Sequence, residues 1–441
     1  MLITHARVAT LGDAPRLIDD GALFIEGDRI GAVGTSAELA ARYPNTEEWD
    51  AAGQLALPSA MCAHTHFYGA FARGMAIPGE PAANFAEILE RLWWRLDKVL
   101  TLEDVRYSAL VCLVDAVRHG TTTLIDHHAS PNAIDGSLDV IAEAIEQAGV
   151  RSCLCYEVTD RDGPQRSQAG IAENVRFATS AIQHPKIAAS FGLHASLTLS
   201  DETLADCVSA AEGLGLGFHI HAAEDRADQE DSLRRSGKRV VHRLGDAGIL
   251  GPRTIAAHCV HVNEGEIERL AATGTWVTHQ PRSNMNNAVG VAPIEAMLRA
   301  GVNVGLGNDG FSNQMFAEMK DAYLVHKLDQ HDPRAMPGDL VLQLAYARNA
   351  RLARVFWPEL RLGELAEGAA ADLVLLDYQP TTPLTAGNLP WHLLFGLEAS
   401  AITATMCAGQ VLMRDRRLLT LDEEAITARS RDLAALAWGR L

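Results

Sequence analysis

LGFHIHAAE, residues 216–224, is a short apolar run that turns polar at its end, with His219 and His221 two residues apart and Glu224 three residues further on. Its length suits a strand and is too short for a helix. Similar runs recur at 55–66, 121–128, 151–157, 187–194, 254–260, 275–280 and 302–309. Longer helical patterns separate them, for example at 101–119, 138–148 and 201–213. Short apolar strands alternating with helices are the pattern of a parallel sheet fed by crossover helices. Eight such units are what a (β/α)8 barrel of the TIM type requires, and this is the expected fold class, α/β.

The ends of the eight runs are polar in turn: His64 and His66, Asp126 to His128, Glu157, His194, His221 and Glu224, His258, His279 and Gln280, then Asn308 and Asp309. Barrel enzymes build their sites at the carboxyl ends of the strands, so these groups are expected at one mouth. Before residue 55 the texture differs, with brief strand-like runs at 2–8, 21–26 and 29–33. Strand-like runs return at 363–376, 402–414 and 418–422, and 422–441 reads as a helix. Neither end can bury a core alone. We expect residues 1–55 and 361–441 to join as a small composite β-sandwich domain beside a barrel of residues 56–360.

Of the 441 residues, 48% are hydrophobic and 21% charged, which suits a large packed core. The formal charge of −18 argues against nucleic acid and anionic membrane as partners and leaves a small molecule as the expected one. Seven scattered cysteines do not make a disulfide framework, and Cys153 and Cys155 read as buried thiols. No signal peptide and no apolar run of membrane-spanning length is visible, so the expected location is cytoplasmic.

Chemistry enters with His64-Thr65-His66. Alternate residues of a strand face one side, so both imidazoles can reach one metal ion. A lone H-x-H is weak evidence among 17 histidines. With His219 or His221, His258 and Asp309 at other strand ends, the joint pattern becomes three imidazole nitrogens and a carboxylate, a donor set for zinc. On residue type alone His219 and His221 serve equally well.

The motifs Leu57-Pro58…His64-Thr65-His66, His221…Glu224, Ala257-His258-Cys259, Ser283-Asn284-Met285 and Gly305-Leu306-Gly307-Asn308-Asp309-Gly310 resemble the amidohydrolase superfamily. Within it they are similar to the ATZ/TRZ (cytosine deaminase/chlorohydrolase-like) group. The segments FARGMAI (71–77), LWWRLDKVLTLEDV (92–105), DHHASPNAIDGSL (126–138), CYEVTDRDG (155–163) and GLHASLTLSD (192–201) resemble the SsnA-like aminohydrolases. The resemblance implies that His64, His66, His221 and Asp309 hold one zinc ion per chain, a set that iron or manganese also fits. It selects His221 over His219 by the spacing to Glu224 and leaves His219 a layer deeper. Glu224, His258 and Asp309 are the implied acid–base residues, and Glu224 should then have a raised pKa. The lysine that bridges two metals in other relatives is absent from the fourth strand, KIAASFGLHA. A homodimer is also implied.

Arg73, His194 and Trp93 are the expected substrate contacts. Of the adjacent Trp93 and Trp94, one is expected in the core and one in the pocket. His127, His128, Glu157, His279 and Asn284 stand at the right end with no role assigned. Three positions depart from the group: Ser59 after Pro58 where relatives carry Gly, Asn308 where Thr is usual, and the cation Arg282 in the strand-seven motif. They leave the ligand set intact and the substrate open. The expected activity is hydrolytic deamination of a small nitrogen-rich heterocycle or cyclic amidine. Ring-amide opening or loss of another group such as halide uses the same site. A catalytically dead binding barrel would need a lost ligand or acid, and none is lost.

Overall fold

The computed structural model describes residues 1–77, 79–181, 184–398 and 401–441. Eight parallel barrel strands follow in chain order: Ala60–Thr65, Thr121–Asp126, Arg151–Leu154, the interrupted Ile187–Ala189 with Phe191–Ala195, Phe218–Ala222, Ile255–His258, Trp276–His279 and Asn303–Leu306. Strands one to four pair in order, as do four to eight. Parallel bridges Val158–Leu193 and Thr65–Asp309 join the two runs, and the second closes the ring between strands eight and one.

That seam is built from particular residues. A Cβ on Gly307 would stand 2.7 Å from the His64 amide nitrogen, so only glycine lets strand eight come this close. The Asn308 and Asp309 amides donate to the His64 carbonyl, each at 3.0 Å. The buried Asn349 accepts from the Leu306 amide and donates to the Met61 and Leu306 carbonyls, each at 2.8 Å. Strand one also slips register between Cys62 and Thr65. Met61 and Ala63 below the slip pack into the barrel floor with Ile125, Ile255 and Trp276. His64 and His66 above it face inward as well, which is how a bulge re-aims side chains.

Helix starts are signed in the sequence. Thr101 and Asp104 form a capping box on Leu102–Arg118, and Asn263 with Glu266 does the same for Glu264–Thr273. The apolar faces of these helices and the outward faces of the strands make the main core.

The two chain ends share one nine-stranded sheet, running from Arg417–Leu418 through Ile402–Cys407 and Leu373–Leu376 to Leu2–Ala9 and Arg29–Thr35. It encloses a core of its own around Leu23, Ile25, Ile30, Trp49 and Leu373. The run at 55–66 is two strands. Leu55–Pro58 pairs with Leu2–Ala9 and Leu373–Leu376, and the barrel strand begins at Ala60. Pro58 has no amide proton to continue a ladder, and the Ser59 amide turns to the Asp372 carbonyl at 3.1 Å. Asp372 also receives the buried Arg151 guanidinium from strand three at 2.5 Å, tying the sheet to the barrel. All seven cysteines are free. No helix among the described residues is long and apolar enough to cross a membrane.

Candidate active site

His64, His66, His221, His258, Glu224 and Asp309 stand together at the carboxyl mouth of the barrel. All except Asp309 are buried. Asp309 Oδ1 lies 2.9 Å from His66 Nε2 and 3.4 Å from His64 Nε2. Donor atoms of His64, His221, His258 and Asp309 all fall within 4.8 Å of one another, as do those of His64, His66, His127 and His221.

The ring protons can be placed by their partners. His66 Nδ1 faces the His127 carbonyl at 2.5 Å, and His221 Nδ1 faces the His194 carbonyl at 2.8 Å. A carbonyl only accepts, so both Nδ1 atoms carry the proton and both Nε2 atoms present lone pairs. Those two Nε2 atoms face each other at 3.1 Å. His64 Nε2 is buried with no hydrogen-bond partner. Three lone pairs and a carboxylate directed at one point require a positive centre, and the site therefore fits a divalent metal ion. Charge says the same. Burial works against protonation of His66, yet the Asp309 carboxylate holds its pKa up to about 9. A dication at the same point supplies the charge that this proton otherwise would. Burial pushes His64 down to about 3 and keeps it neutral, and it lowers His221 well below the usual range.

His219 lies one layer deeper. It is fully buried, and its Nε2 is bonded to His64 Nδ1 at 2.8 Å, which orients that ring.

The mouth stores backbone strain. Ala223, His258, Cys259 and Asp309 have φ of 50°, 70°, 49° and 58°, a region that side chains avoid. Asp228 holds one of these turns, accepting the Ala223 and Leu197 amides at 2.8 Å each. Glu224 follows at once. Its Oε1 accepts from Asn287 at 3.3 Å. Burial raises its pKa to about 7, against the opposing pull of His258. His258 Nδ1 is bonded to Asn284 Oδ1 at 2.9 Å, so its Nε2 is an unpartnered lone pair. Asp309 Oδ2 accepts from the Ser283 hydroxyl at 2.5 Å.

A cavity of about 570 Å³ opens above the cluster. His194 and Trp93 line it, and Arg73 lies exposed at its rim. Trp94 lines it too, which corrects the expected split of the pair. Leu89–Trp93 forms a π-helical turn, whose extra residue rotates both indoles toward the cavity. Arg282 points away from it and pairs with Glu318 at 2.5 Å. His279 is bonded to His326 at 3.1 Å and His128 to Ser130 at 2.9 Å, so neither joins the cluster. Asn287 and Asp228 were not singled out from the sequence. Asn287 carries no spacing signal, whereas Asp228, four residues after Glu224, could have been found as the cap of a loop.

The amidohydrolase family profile matches residues 55–412, and an imidazolonepropionase-like composite domain of bacteria matches residues 21–45. The chain is 33% identical over 432 residues to the 5'-deoxyadenosine deaminase of Methanosarcina mazei, covering 97% of this chain and 95% of that protein. It is 32% identical to the 5-methylthioadenosine/S-adenosylhomocysteine deaminase of Syntrophobacter fumaroxidans, covering 98% and 97%. Among solved structures, a zinc-bound adenosine deaminase from Xanthomonas campestris superimposes with a TM-score of 0.88 at 24% identity, covering 99% and 98%. The zinc complex of an atrazine chlorohydrolase from Arthrobacter aurescens gives 0.83 at 23% identity, covering 98% and 99%. At these identities the structural likeness speaks for the fold.

Proposed function

This chain belongs to the amidohydrolase family, and from that premise we propose that it is a zinc-dependent hydrolytic deaminase in which Glu224 and Asp309 move the protons and His258 orients the attacking water. The reaction replaces the amino group of an electron-poor ring carbon by oxygen and releases ammonia. Two relatives named for adenosine-type deamination support a 6-aminopurine nucleoside as the substrate class. A cavity of about 570 Å³ has room for one.

His64, His66, His221 and Asp309 would hold one zinc ion in the catalytic site. Bound there, zinc supplies Lewis acidity and makes water acidic enough to deprotonate near neutral pH. Asp309 takes the first proton of the attacking water. Glu224, protonated up to about pH 7, gives its proton to the ring nitrogen beside the attacked carbon. That carbon becomes tetrahedral. The proton on Asp309 then passes to the amino group, which leaves as ammonia. The proton of the new C–OH returns to Glu224, so the enzyme ends as it began. His258 Nε2, a bare acceptor in the tautomer fixed by Asn284, accepts from the attacking water and so orients it. Arg73, Trp93 and His194 would hold the substrate from the cavity wall.

The observation that carries the reading is the pair Glu224 and His258, set beside a metal-type donor set and open to a substrate-sized cavity. The test is ammonia release from metal-quantified protein across aminopurine nucleosides, aminopyrimidines, aminotriazines and cyclic amidines. Release from one class, lost in Glu224→Gln, supports deamination. Turnover to a ring-opened acid or to free halide, without ammonia, overturns it.

A further inference from the structure

Two positions that depart from the group, Arg282 and Asn308, take no part in the reaction above, yet both hold one loop. Arg282 Nη2 donates to the Ser312 carbonyl at 2.7 Å, and Asn308 Nδ2 donates to the same oxygen at 3.0 Å. Arg282 Nη1 also reaches the Ser312 hydroxyl at 3.1 Å, and Asn308 Nδ2 reaches Asn313 Oδ1 at 2.9 Å. The next residue is tied as firmly. The Asn313 amide donates to Asp115 Oδ2 at 2.6 Å, its Nδ2 donates to the Cys112 carbonyl at 3.1 Å, and its carbonyl accepts from the Thr121 hydroxyl at 2.6 Å. The fully buried Glu318 fixes the guanidinium in turn, accepting from Nε at 2.5 Å. Loops are ordinarily the mobile parts of a barrel. Residues 310–313 are instead clamped between helices Leu102–Arg118 and Pro281–Asn286 and the second barrel strand.

The loop presents Phe311. Its ring lines the cavity and is 36% exposed, so apolar area stays uncovered in the free protein. The Arg282 guanidinium lies over this ring, 5.3 Å from its centroid. Arg282 points away from the cavity, so it backs one face and leaves the other free. A cation on one face draws the π electrons toward itself, which lessens the repulsion between the free face and another π system. The ring is also fixed before a ligand arrives, so binding does not have to order it. Trp93 walls the cavity beside it, since a Cβ on Gly310 would stand 3.7 Å from the indole.

We propose that Phe311 is the stacking platform for the substrate heterocycle and that Arg282 positions it. The proposal deepens the deaminase reading and rests on it for the planar substrate. A flat uncharged face holds a heteroaromatic ring in proportion to the area it covers, so a fused two-ring base binds more tightly than a single ring. The platform thus selects purine over pyrimidine.

The test reads binding apart from turnover. Metal-loaded full-length protein is titrated by calorimetry with purine riboside and with pyrimidin-2-one riboside, neither of which has an amino group to lose. Purine riboside should bind the wild type more tightly. Base–aromatic stacking is worth about 10-fold to 100-fold in Kd, and Phe311→Leu should weaken purine riboside by that factor with bound zinc unchanged. Arg282→Lys keeps a cation for Glu318 but not the forked bonds to Ser312. Alone it should weaken purine riboside. Added to Phe311→Leu it should change nothing more, because the ring it positions is gone. An Arg282 that merely held the fold would add its own loss in both backgrounds, and that result overturns its positioning role. Circular dichroism checks the fold, and Phe311→Leu, at an exposed position, tests the platform even where Arg282→Lys does not fold. Equal affinity in wild type and Phe311→Leu, or tighter binding of the one-ring riboside, overturns the platform and leaves deamination standing. Binding that depends on Phe311 in a protein that releases no ammonia overturns deamination and leaves the platform. Binding of neither riboside to the wild type overturns both.

Discussion

Glu224 Oε2 lies 3.5 Å from His258 Nε2, and the same nitrogen lies 3.9 Å from Asp309 Oδ2. One lone pair thus stands between two carboxylates on two other strands. Each loop that delivers one of these residues contains a left-handed residue, Ala223, His258 itself or Asp309, so the arrangement is held at a cost in backbone strain.

Glu224→Gln keeps the shape and the Asn287 contact but removes the transferable proton. General acid catalysis contributes about 10²–10⁴ in rate, and kcat should fall by that factor. Bound zinc and the melting temperature should stay unchanged, because Glu224 is outside the donor set. Near-normal turnover would falsify its role as the acid.

His219 is expected to act through His64. Replacing it by alanine removes the bond that fixes His64 at 2.8 Å. Loss of such an outer partner weakens metal binding by about 10–100-fold. Competition with a chelator measures this directly. His219→Ala with wild-type zinc affinity would leave His219 as packing alone.

Much of this was legible in the sequence, and the limits have physical reasons. The barrel showed itself because each strand ends in a polar group, an abrupt change that hydropathy records. Positions at those ends marked the histidines, Glu224 and Asp309 as candidates, while the choice of His221 over His219 and the acid–base role of Glu224 came from the resemblance. The break at Pro58 was hidden, since residues on both sides are apolar and burial does not say which sheet receives a strand. The joint facing of Trp93 and Trp94 was hidden because a π-helical turn leaves no mark in a two-turn pattern. The approach of Glu157 to the His66 and His127 rings brings together side chains from three strands, and no local spacing encodes that.

Burial raises the carboxyl of Asp228 to about 7 in the folded chain, from an ordinary value of 3.8. A raised folded pKa means that its stabilising contribution is complete below about pH 4 and is lost as pH rises through about 7. Burial raises Glu318 to about 7 as well, although Arg282 opposes it. Asp309 is held well below 3.8 because the positive charge favoured at His66 beside it outweighs its burial, so it adds no slope above pH 5. Asp228 and Glu318 therefore pull the urea midpoint down as pH rises from about 4 to 7, while buried histidines held below 6.5, such as His64, His128 and His221, pull it up as far as about pH 6.5. Comparing wild type with Asp228→Asn isolates the first effect: the difference in midpoint between the two should change over about pH 4–7, and a constant difference would remove Asp228 as a source of pH dependence.

Asn349 offers the sharpest test of how the barrel is closed. Its amide makes three bonds at 2.8 Å across the seam between strands eight and one, and its side chain is fully enclosed. Asn349→Ala leaves the Leu306 amide and the Met61 and Leu306 carbonyls short of a partner each. A buried group left unpaired costs about 1–3 kcal/mol, so a loss of roughly 3 kcal/mol or more is expected. The seam carries His64 and Asp309, so zinc affinity should drop along with stability. Arg151→Met gives the contrast. It breaks the buried pair with Asp372 and should cost about 3–5 kcal/mol, with the zinc affinity of the folded fraction preserved, because that pair lies at the opposite end of strand three. If Asn349→Ala loses stability with zinc affinity intact, the seam holds the fold without setting the metal donors.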